Sequence, residues 1–226
     1  MGIPGYTLIR SNRKTIALYI RNGSLEVRAP LKISKHDIDA FITSKEKWIA
    51  GKLAAAQERL EQRASFSLTY GDNILCCGEK YPITARDGNN IGFDGESFYM
   101  PPELTPKQIK NACIQIYRML AKQGLDYKVK FFSNHMSVTP LAVKINSAKT
   151  RWGSCSGKKS LNFSWRLIMA EENVINYVVV HELAHIMEMN HSDRFWAIVG
   201  KVLPDYRARR ERLKVLQKKL SAENWD

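Results

Sequence analysis

The sequence predicts an α+β protein, with a β-rich first part followed by a more helical second part. Short alternating apolar runs fill the first thirty residues, and Asn22-Gly23 between two of them is a strong hairpin signal. Further short runs between residues 68 and 100 are separated by turn pairs such as Asp87-Gly88. From Thr105 onward, apolar residues recur mainly at helical spacing.

The first part divides into strands, one helix and further strands. The hairpin pairs Ile16–Ile20 with Leu25–Arg28, and Ser34, with Asp37 three residues later, has the form of a helix start. That helix is expected to run on through Leu53 and to fade into a polar stretch. Pro101-Pro102 ends this part, so the predicted domains are residues 1–102 and 103–226.

The second part begins at Thr105-Pro106, a helix cap followed by proline at the first helical position. This first helix is expected to reach about Phe132, with an interruption at Gly124. The remaining elements are predicted as strands over Leu141–Asn146 and Leu161–Leu167, a helix from Glu171, a helix capped by Ser192, and a basic helix over residues 205–220.

Charge and cysteine content limit the class of protein. The net charge of +13 favours anionic partners, among them nucleotides and nucleic acid, although a merely basic surface has the same composition. No apolar run is long enough to span a bilayer, and the first residues are too polar for a signal peptide. The four cysteines form no CxxC pair, which favours a reducing, cytoplasmic location without membrane attachment.

The segment His181-Glu182-Leu183-Ala184-His185 carries the chemistry. Histidines four residues apart on a helix share one face, roughly 6 Å apart along the axis, and can bind one zinc ion. Glu182 lies beside such a metal rather than on it, where a carboxylate can take a proton from activated water. The segment therefore predicts a metal-dependent hydrolase.

A catalytic zinc needs a third protein ligand, and two residues are candidates. His191 lies too far round to ligate from the same straight helix, but Asn190 tolerates the left-handed conformation and could end the helix before it. Glu188 shares the histidines' face but lies about 7 Å beyond the metal position along the axis. His191 is therefore the expected third ligand, and Glu188 is expected only near the site.

Several further motifs accompany this segment. They are Arg151-Trp152-Gly153-Ser154-Cys155-Ser156, Tyr177 to His185, Asn190-His191-Ser192 followed by Phe195-Trp196, Pro204-Asp205-Tyr206, Arg28-Ala29-Pro30 and Lys47-Trp48-Ile49. In these motifs the chain resembles the YgjP-like metal-dependent hydrolases, a zincin metallopeptidase family related to the WLM and SprT-type minimal zincins. The likeness covers nearly the whole chain.

The resemblance implies a compact zincin core with a small sheet and an active-site helix. It implies that His181, His185 and His191 bind zinc, or another divalent metal, and that Glu182 is the catalytic base. By analogy with zincins, the strand Leu161–Leu167 would pair with an extended peptide substrate. Arg151 is a candidate substrate-binding residue, although an ion pair or stacking on Trp152 would equally explain it.

Three functions are compatible with these residues. The first is a zinc metallopeptidase that cleaves a peptide or protein. The second is a metal-dependent nucleotide phosphohydrolase or pyrophosphatase, for which the positive charge and Arg151 would suit an anionic substrate. The third is a protein whose basic last helix also contacts nucleic acid. Aromatic residues are not interleaved with the charges of that helix, which argues against stacking on the bases of a single strand.

Overall fold

Short strands occupy the beginning of the chain and long helices most of its second half. The computed structural model describes residues 5–226, and its mixed content confirms the predicted α+β class. The strands are β1 (Tyr6–Ser11), β2 (Ala17–Arg21), β3 (Ser24–Pro30), β4 (Asn73–Cys76), β5 (Glu79–Ala85), β6 (Gly92–Phe93), β7 (Phe98–Met100), β8 (Ala142–Asn146), β9 (Gly153–Cys155) and β10 (Ser160–Ser164). The helices are α1 (Lys35–Ser44), α2 (Glu46–Ser65), α3 (Pro106–Met136), α4 (Glu172–Ala184), α5 (Asp193–Val202) and α6 (Tyr206–Leu220), with a 3-10 helix over Trp165–Met169.

Contacts within the chain define two units. One runs up to Phe66 and includes the C-terminal residues Leu220–Asn224 and Asp226, and the other comprises Ser67–Lys219 with Trp225. The strands β4 to β7 therefore belong to the same unit as α3. The sequence places a domain boundary at residue 102 instead, and that boundary stays a prediction.

The first unit is a three-stranded sheet with two helices. The sheet order is β1-β3-β2, and the β2–β3 hairpin turns at Asn22 and Gly23, both with positive φ, which confirms the predicted hairpin. Alternate residues of the central strand β3 are buried and pack with helix residues in one core: Leu25, Val27 and Ala29 with Ile38, Ile42 and Ile49. Ser34 caps α1, but the helix ends at Ser44, so the expected single helix is two.

The second unit is organised around α3. Its predicted start is confirmed, because Thr105 and Gln108 form a reciprocal capping box with Pro106 in the first turn. The expected interruption at Gly124 is wrong, since the helix continues for 31 residues through that position. A Cβ at Gly124 would lie 3.5 Å from Ile168, an ordinary van der Waals distance, so neither packing nor backbone conformation requires a glycine there.

The sheet beneath the site has the order β8-β10-β9. The strand β10 is central, parallel to β8 and antiparallel to β9. It ends at Ser164, three residues before the predicted end, because the chain turns into the 3-10 helix. Trp165 there is buried and stacks on Tyr117 of α3, with ring centroids 5.6 Å apart.

The helix α4 is buried along most of its length. Its apolar residues Val174, Ile175, Val178, Val179, Val180 and Leu183 are all buried, and the helix packs against α3, α5 and β9. The histidine segment lies at its C-terminal end, where the chain leaves this packed environment. No helix in the described part of the chain combines the length and apolarity that a bilayer crossing requires.

Candidate metal centre and active site

Three histidines converge at the C-terminal end of α4. One ring nitrogen from each of His181, His185 and His191 lies within 4.8 Å of the others. The Nε2 atoms of His181 and His191 are 3.0 Å apart. Two nitrogens bound tetrahedrally to one zinc at 2.0–2.1 Å would be separated by roughly 3.4 Å. The three rings are therefore placed closely enough to share one metal ion.

The chain reaches His191 by an early end to the helix. The last helical residue is Ala184, and the N–H groups of Ile186, Met187 and Glu188 turn back to the carbonyls of Leu183 and Ala184. The expected left-handed residue at Asn190 is wrong, because Asn190 is not among the residues with positive φ. The turn over residues 185–190 reverses the chain without it.

Glu188 orients one of the histidines through its backbone. Its carbonyl oxygen lies 3.1 Å from Nδ1 of His185, so that nitrogen donates a hydrogen bond and Nε2 is left with the lone pair. The side chain of Glu188 accepts a hydrogen bond from the Asn190 backbone N–H instead of joining the histidine cluster. Its expected place beside the site is thus explained by a backbone contact.

Phe195 of α5 forms the floor of the histidine cluster. Its ring is buried, and its centroid lies 4.9, 4.5 and 4.8 Å from those of His181, His185 and His191. Ser192 caps α5 by accepting from the Phe195 N–H, as the sequence predicts, and this cap fixes the start of the helix. Packing also orients His181, whose buried Nδ1 has no hydrogen-bond partner among the described residues.

Burial favours the neutral form of the His181 and His185 imidazoles. Burial, followed by repulsion from the other two histidines and Arg210, lowers the pKa of His181 to about 3. Burial likewise lowers the pKa of His185. Because a neutral imidazole is the form that binds a metal, this donor set fits a divalent ion such as zinc.

Glu182 is buried beneath the strand β9. Its side chain is in contact with Gly153, where a Cβ would lie only 2.6 Å from Cγ and Oε1 of the glutamate. Burial raises the pKa of the Glu182 carboxyl to about 7, and the charge of Arg151 acts in the opposite direction. Gly153 belongs to the motif Arg151–Ser156, but the sequence alone assigned it no role; the close approach explains why glycine is needed there.

Arg151 is exposed, and its positive charge is close enough to Glu182 to act on the pKa of that carboxyl, which it lowers. Within residues 5–226 it forms no ion pair and does not stack on Trp152, so neither structural explanation for this residue is realised. A contact with substrate stays a prediction.

A cavity of about 420 Å³ opens beside the histidines. Its walls come from α4, the turn after α4, α5, α6 and the segment before β9. The lining residues are Trp152, Tyr177, His181, His191, Trp196, Arg210, Leu213, Lys214 and Gln217. Sequence reasoning did not anticipate that α6 would line it. The only sequence signal was the motif Pro204-Asp205-Tyr206, which precedes α6 and places Tyr206 against Trp196 with centroids 5.2 Å apart.

Many charges of α6 are paired within the protein. Arg209 bonds to Asp205 at 2.8 Å and to the Asn173 carbonyl, Arg212 pairs with Glu171, and Lys214 pairs with Glu211 at 2.7 Å. This local pairing gives no support to the predicted nucleic-acid contact.

The chain is similar to a metallopeptidase family and to solved metallopeptidase zymogens. The family model for the YgjP-like metallopeptidase domain matches residues 14–216. The metallopeptidase zymogen abylysin of Pyrococcus abyssi is 24% identical, with a TM-score of 0.38 and coverage of 44% of this chain and 97% of that one. The zymogen jannalysin of Methanocaldococcus jannaschii is 22% identical, with a TM-score of 0.37 and coverage of 42% and 96%. No curated protein matches the chain.

The family match confirms the predicted hydrolase of the metallopeptidase class and does not favour the nucleotide phosphohydrolase. It extends over both units and includes the histidine segment and the motif around Gly153. The chain belongs to the YgjP-like metallopeptidase family.

Proposed function

We propose that His181, His185 and His191 hold one catalytic zinc ion and that Glu182 transfers the proton in peptide hydrolysis. The observation that carries the proposal is the convergence of three imidazole nitrogens within 4.8 Å beside a buried carboxylate. Three imidazoles with an open fourth position are a typical catalytic zinc site. Glu188 is not proposed as a ligand, because its side chain accepts a hydrogen bond from the Asn190 N–H.

When bound, the metal supplies a Lewis acid that polarises the peptide carbonyl and makes water more acidic. The protein's own residues manage the proton. Glu182 takes a proton from the attacking water and delivers it to the departing amine. Its contact with Gly153 and its burial hold the carboxylate in one place, so that little motion is needed between the two transfers.

The substrate is proposed to bind along β9 rather than along β10. The predicted pairing of an extended peptide with Leu161–Leu167 is wrong, because β10 is the central strand and already has a neighbour on each side. In the sheet of the described residues β9 is an edge strand, and its Gly153 contacts Glu182. A peptide added to β9 would therefore pass the catalytic carboxylate. Arg151, two residues before Gly153, is proposed to contact that peptide.

The four cysteines support a reducing environment. Cys76, Cys77, Cys113 and Cys155 are all free, and Cys76 and Cys113 are buried. We propose a cytoplasmic location on this basis.

The test is a metal-dependent cleavage assay. Protein stripped with a chelator should cleave no member of a mixed peptide library, and cleavage should return when one equivalent of zinc is added. The same preparations are given nucleoside triphosphates, with release of phosphate and pyrophosphate measured. Peptide cleavage that survives removal of all metal, or hydrolysis of nucleotides without any of peptides, would contradict the proposal.

A further inference from the structure

The arginines of α6 differ in what they contact. Arg209 and Arg212 are held by carboxylates, those of Asp205 and Glu171. Arg207 lies against Tyr206, with its Nε 3.3 Å from the phenol oxygen. Arg210 makes no ion pair and no side-chain hydrogen bond within the described part of the chain. Among the described residues, the guanidinium of Arg210 therefore keeps its N–H donors available for a ligand.

Arg210 is also the α6 arginine that lines the cavity beside the histidines. Its guanidinium lies over the ring of Trp196, 5.5 Å from the centroid. Trp196 is itself held between two rings, with His191 at 5.7 Å and Tyr206 at 5.2 Å, both stacked. These contacts connect Arg210 through Trp196 to the proposed metal ligand His191, and they restrict the movement of the guanidinium into solvent.

A hydrogen bond from Lys214 lowers the pKa of Glu211, and the charge of Arg210 contributes to that lowering, but this carboxylate is not part of the cavity wall. No carboxylate is among the lining residues of the cavity in the described chain. The other cation on the wall, Lys214, is already paired with Glu211.

We propose that Arg210 determines substrate specificity by binding a carboxylate of the peptide next to the scissile bond. The proposal rests on the proposed peptidase function. A guanidinium presents two parallel N–H donors that match the two oxygens of a carboxylate. The carboxylate can belong to an Asp or Glu side chain or to the C-terminus of the peptide, and both sources have the same chemistry.

The experiment compares pairs of peptides that differ in one carboxylate. One set replaces Gln by Glu at each position within four residues of the scissile bond, and the other compares a free C-terminus with its amide. The wild-type protein should cleave one acidic member with a kcat/KM roughly tenfold to a hundredfold above its neutral partner, the range of a charge-assisted hydrogen bond. The set in which this occurs identifies the source of the carboxylate.

Variants assign the preference to Arg210. Arg210→Gln should bring the ratio of kcat/KM between the acidic and the neutral peptide close to one, and Arg210→Glu should favour a Lys peptide at the same position. Arg207→Gln is the matched control, because it removes the same charge from the same helix outside this cavity. The control should keep the wild-type preference.

Binding provides a second measurement that does not depend on turnover. In a Glu182→Gln background, the acidic peptide should quench or shift tryptophan fluorescence with a lower Kd than the neutral one, and Arg210→Gln should equalise the two. An acidic-to-neutral ratio near one in the wild-type protein, or one unchanged in Arg210→Gln, would overturn the proposal. If the wild-type protein cleaves no peptide at all, the proposed function fails and this proposal with it.

Discussion

The helices α4 and α6 both face the cavity, yet they are built in opposite ways. The helix α4 is surrounded by apolar neighbours and presents the half-buried His181 and the buried Glu182. In the helix α6 only Leu220 is buried, and three of its cations, Arg209, Arg212 and Lys214, form ion pairs with nearby carboxylates. Packing positions the reacting groups on α4. On α6, contact with one ring positions Arg210, and ion pairs hold the neighbouring Arg209 and Arg212.

Because of this difference, substitutions near the two helices should have different effects on the reaction. A change beneath α4 should move or remove a reacting group and cost activity on every substrate. A change on α6 should alter which substrate is preferred, or cost a little stability, without stopping the chemistry.

The largest effect is expected at the exposed end of the histidine cluster. His191→Ala removes one of the three nitrogen donors. Loss of a residue that only hydrogen-bonds to a metal ligand lowers metal affinity roughly 10–100-fold, so loss of the ligand itself should lower zinc affinity by more. The fold should survive, because His191 lies on an exposed turn. Chelator competition measures the affinity, and thermal unfolding of the metal-free protein checks the fold. His36→Ala is the control, since that side chain is 92% exposed and far from the site in the chain; equal zinc affinity in both variants would remove His191 from the ligand set.

The next effect tests the packing under Glu182. Gly153→Ala places a methyl group 2.6 Å from the glutamate side chain, so the carboxylate must move. A displacement of about 1 Å at a reacting group can cost about 10²-fold in rate, and kcat should fall by that order with zinc still bound. The matched control is Gly157→Ala in the same β9–β10 region, where an added Cβ meets nothing within 4 Å. Full activity in Gly153→Ala would show that the position of Glu182 tolerates change.

The smallest effect is expected on α6. Arg212→Ala breaks the pair with Glu171, in which both side chains are about half exposed, so the free energy of unfolding should fall by about 0.2–1 kcal/mol. The loss should shrink at high salt, and peptide cleavage should be unchanged. Urea unfolding at two salt concentrations measures both points. A loss of cleavage would mean that α6 contributes to the reaction itself and would erase the contrast with α4.

Local rules predicted the parts of the site that lie close together in the sequence. Helical spacing alone brings His181 and His185 to one face of the helix. The distance of Glu188 from the metal position along the helix axis alone argues against Glu188 as a ligand. The turn to His191 was predicted in its outcome but not in its geometry, because a sequence does not specify which of several compatible turns the packing of Phe195 will select. The hairpin at Asn22-Gly23 was equally local and was confirmed.

Contacts between distant segments were not predictable in the same way. The approach of Gly153 to Glu182 joins residues 29 positions apart, and it depends on β9 being the edge of the sheet. The strand β10 alternates apolar and polar residues in the sequence, a pattern that does not distinguish a central strand from an edge one. The interruption predicted at Gly124 was wrong for a different reason: a glycine inside a helix costs only about 1 kcal/mol relative to alanine, and the packing of the 31-residue helix outweighs that cost.

The most direct test of the proposed roles, metal binding by the three histidines and proton transfer by Glu182, is the substitution Glu182→Gln. The variant is measured for both metal content and peptide cleavage. The substitution keeps the size of the side chain and removes the proton acceptor. One equivalent of zinc should remain on the three histidines while kcat falls by about 10²–10⁴-fold, the usual contribution of a general acid–base group. Loss of zinc together with activity would place Glu182 among the ligands, and undiminished cleavage would show that another group transfers the proton.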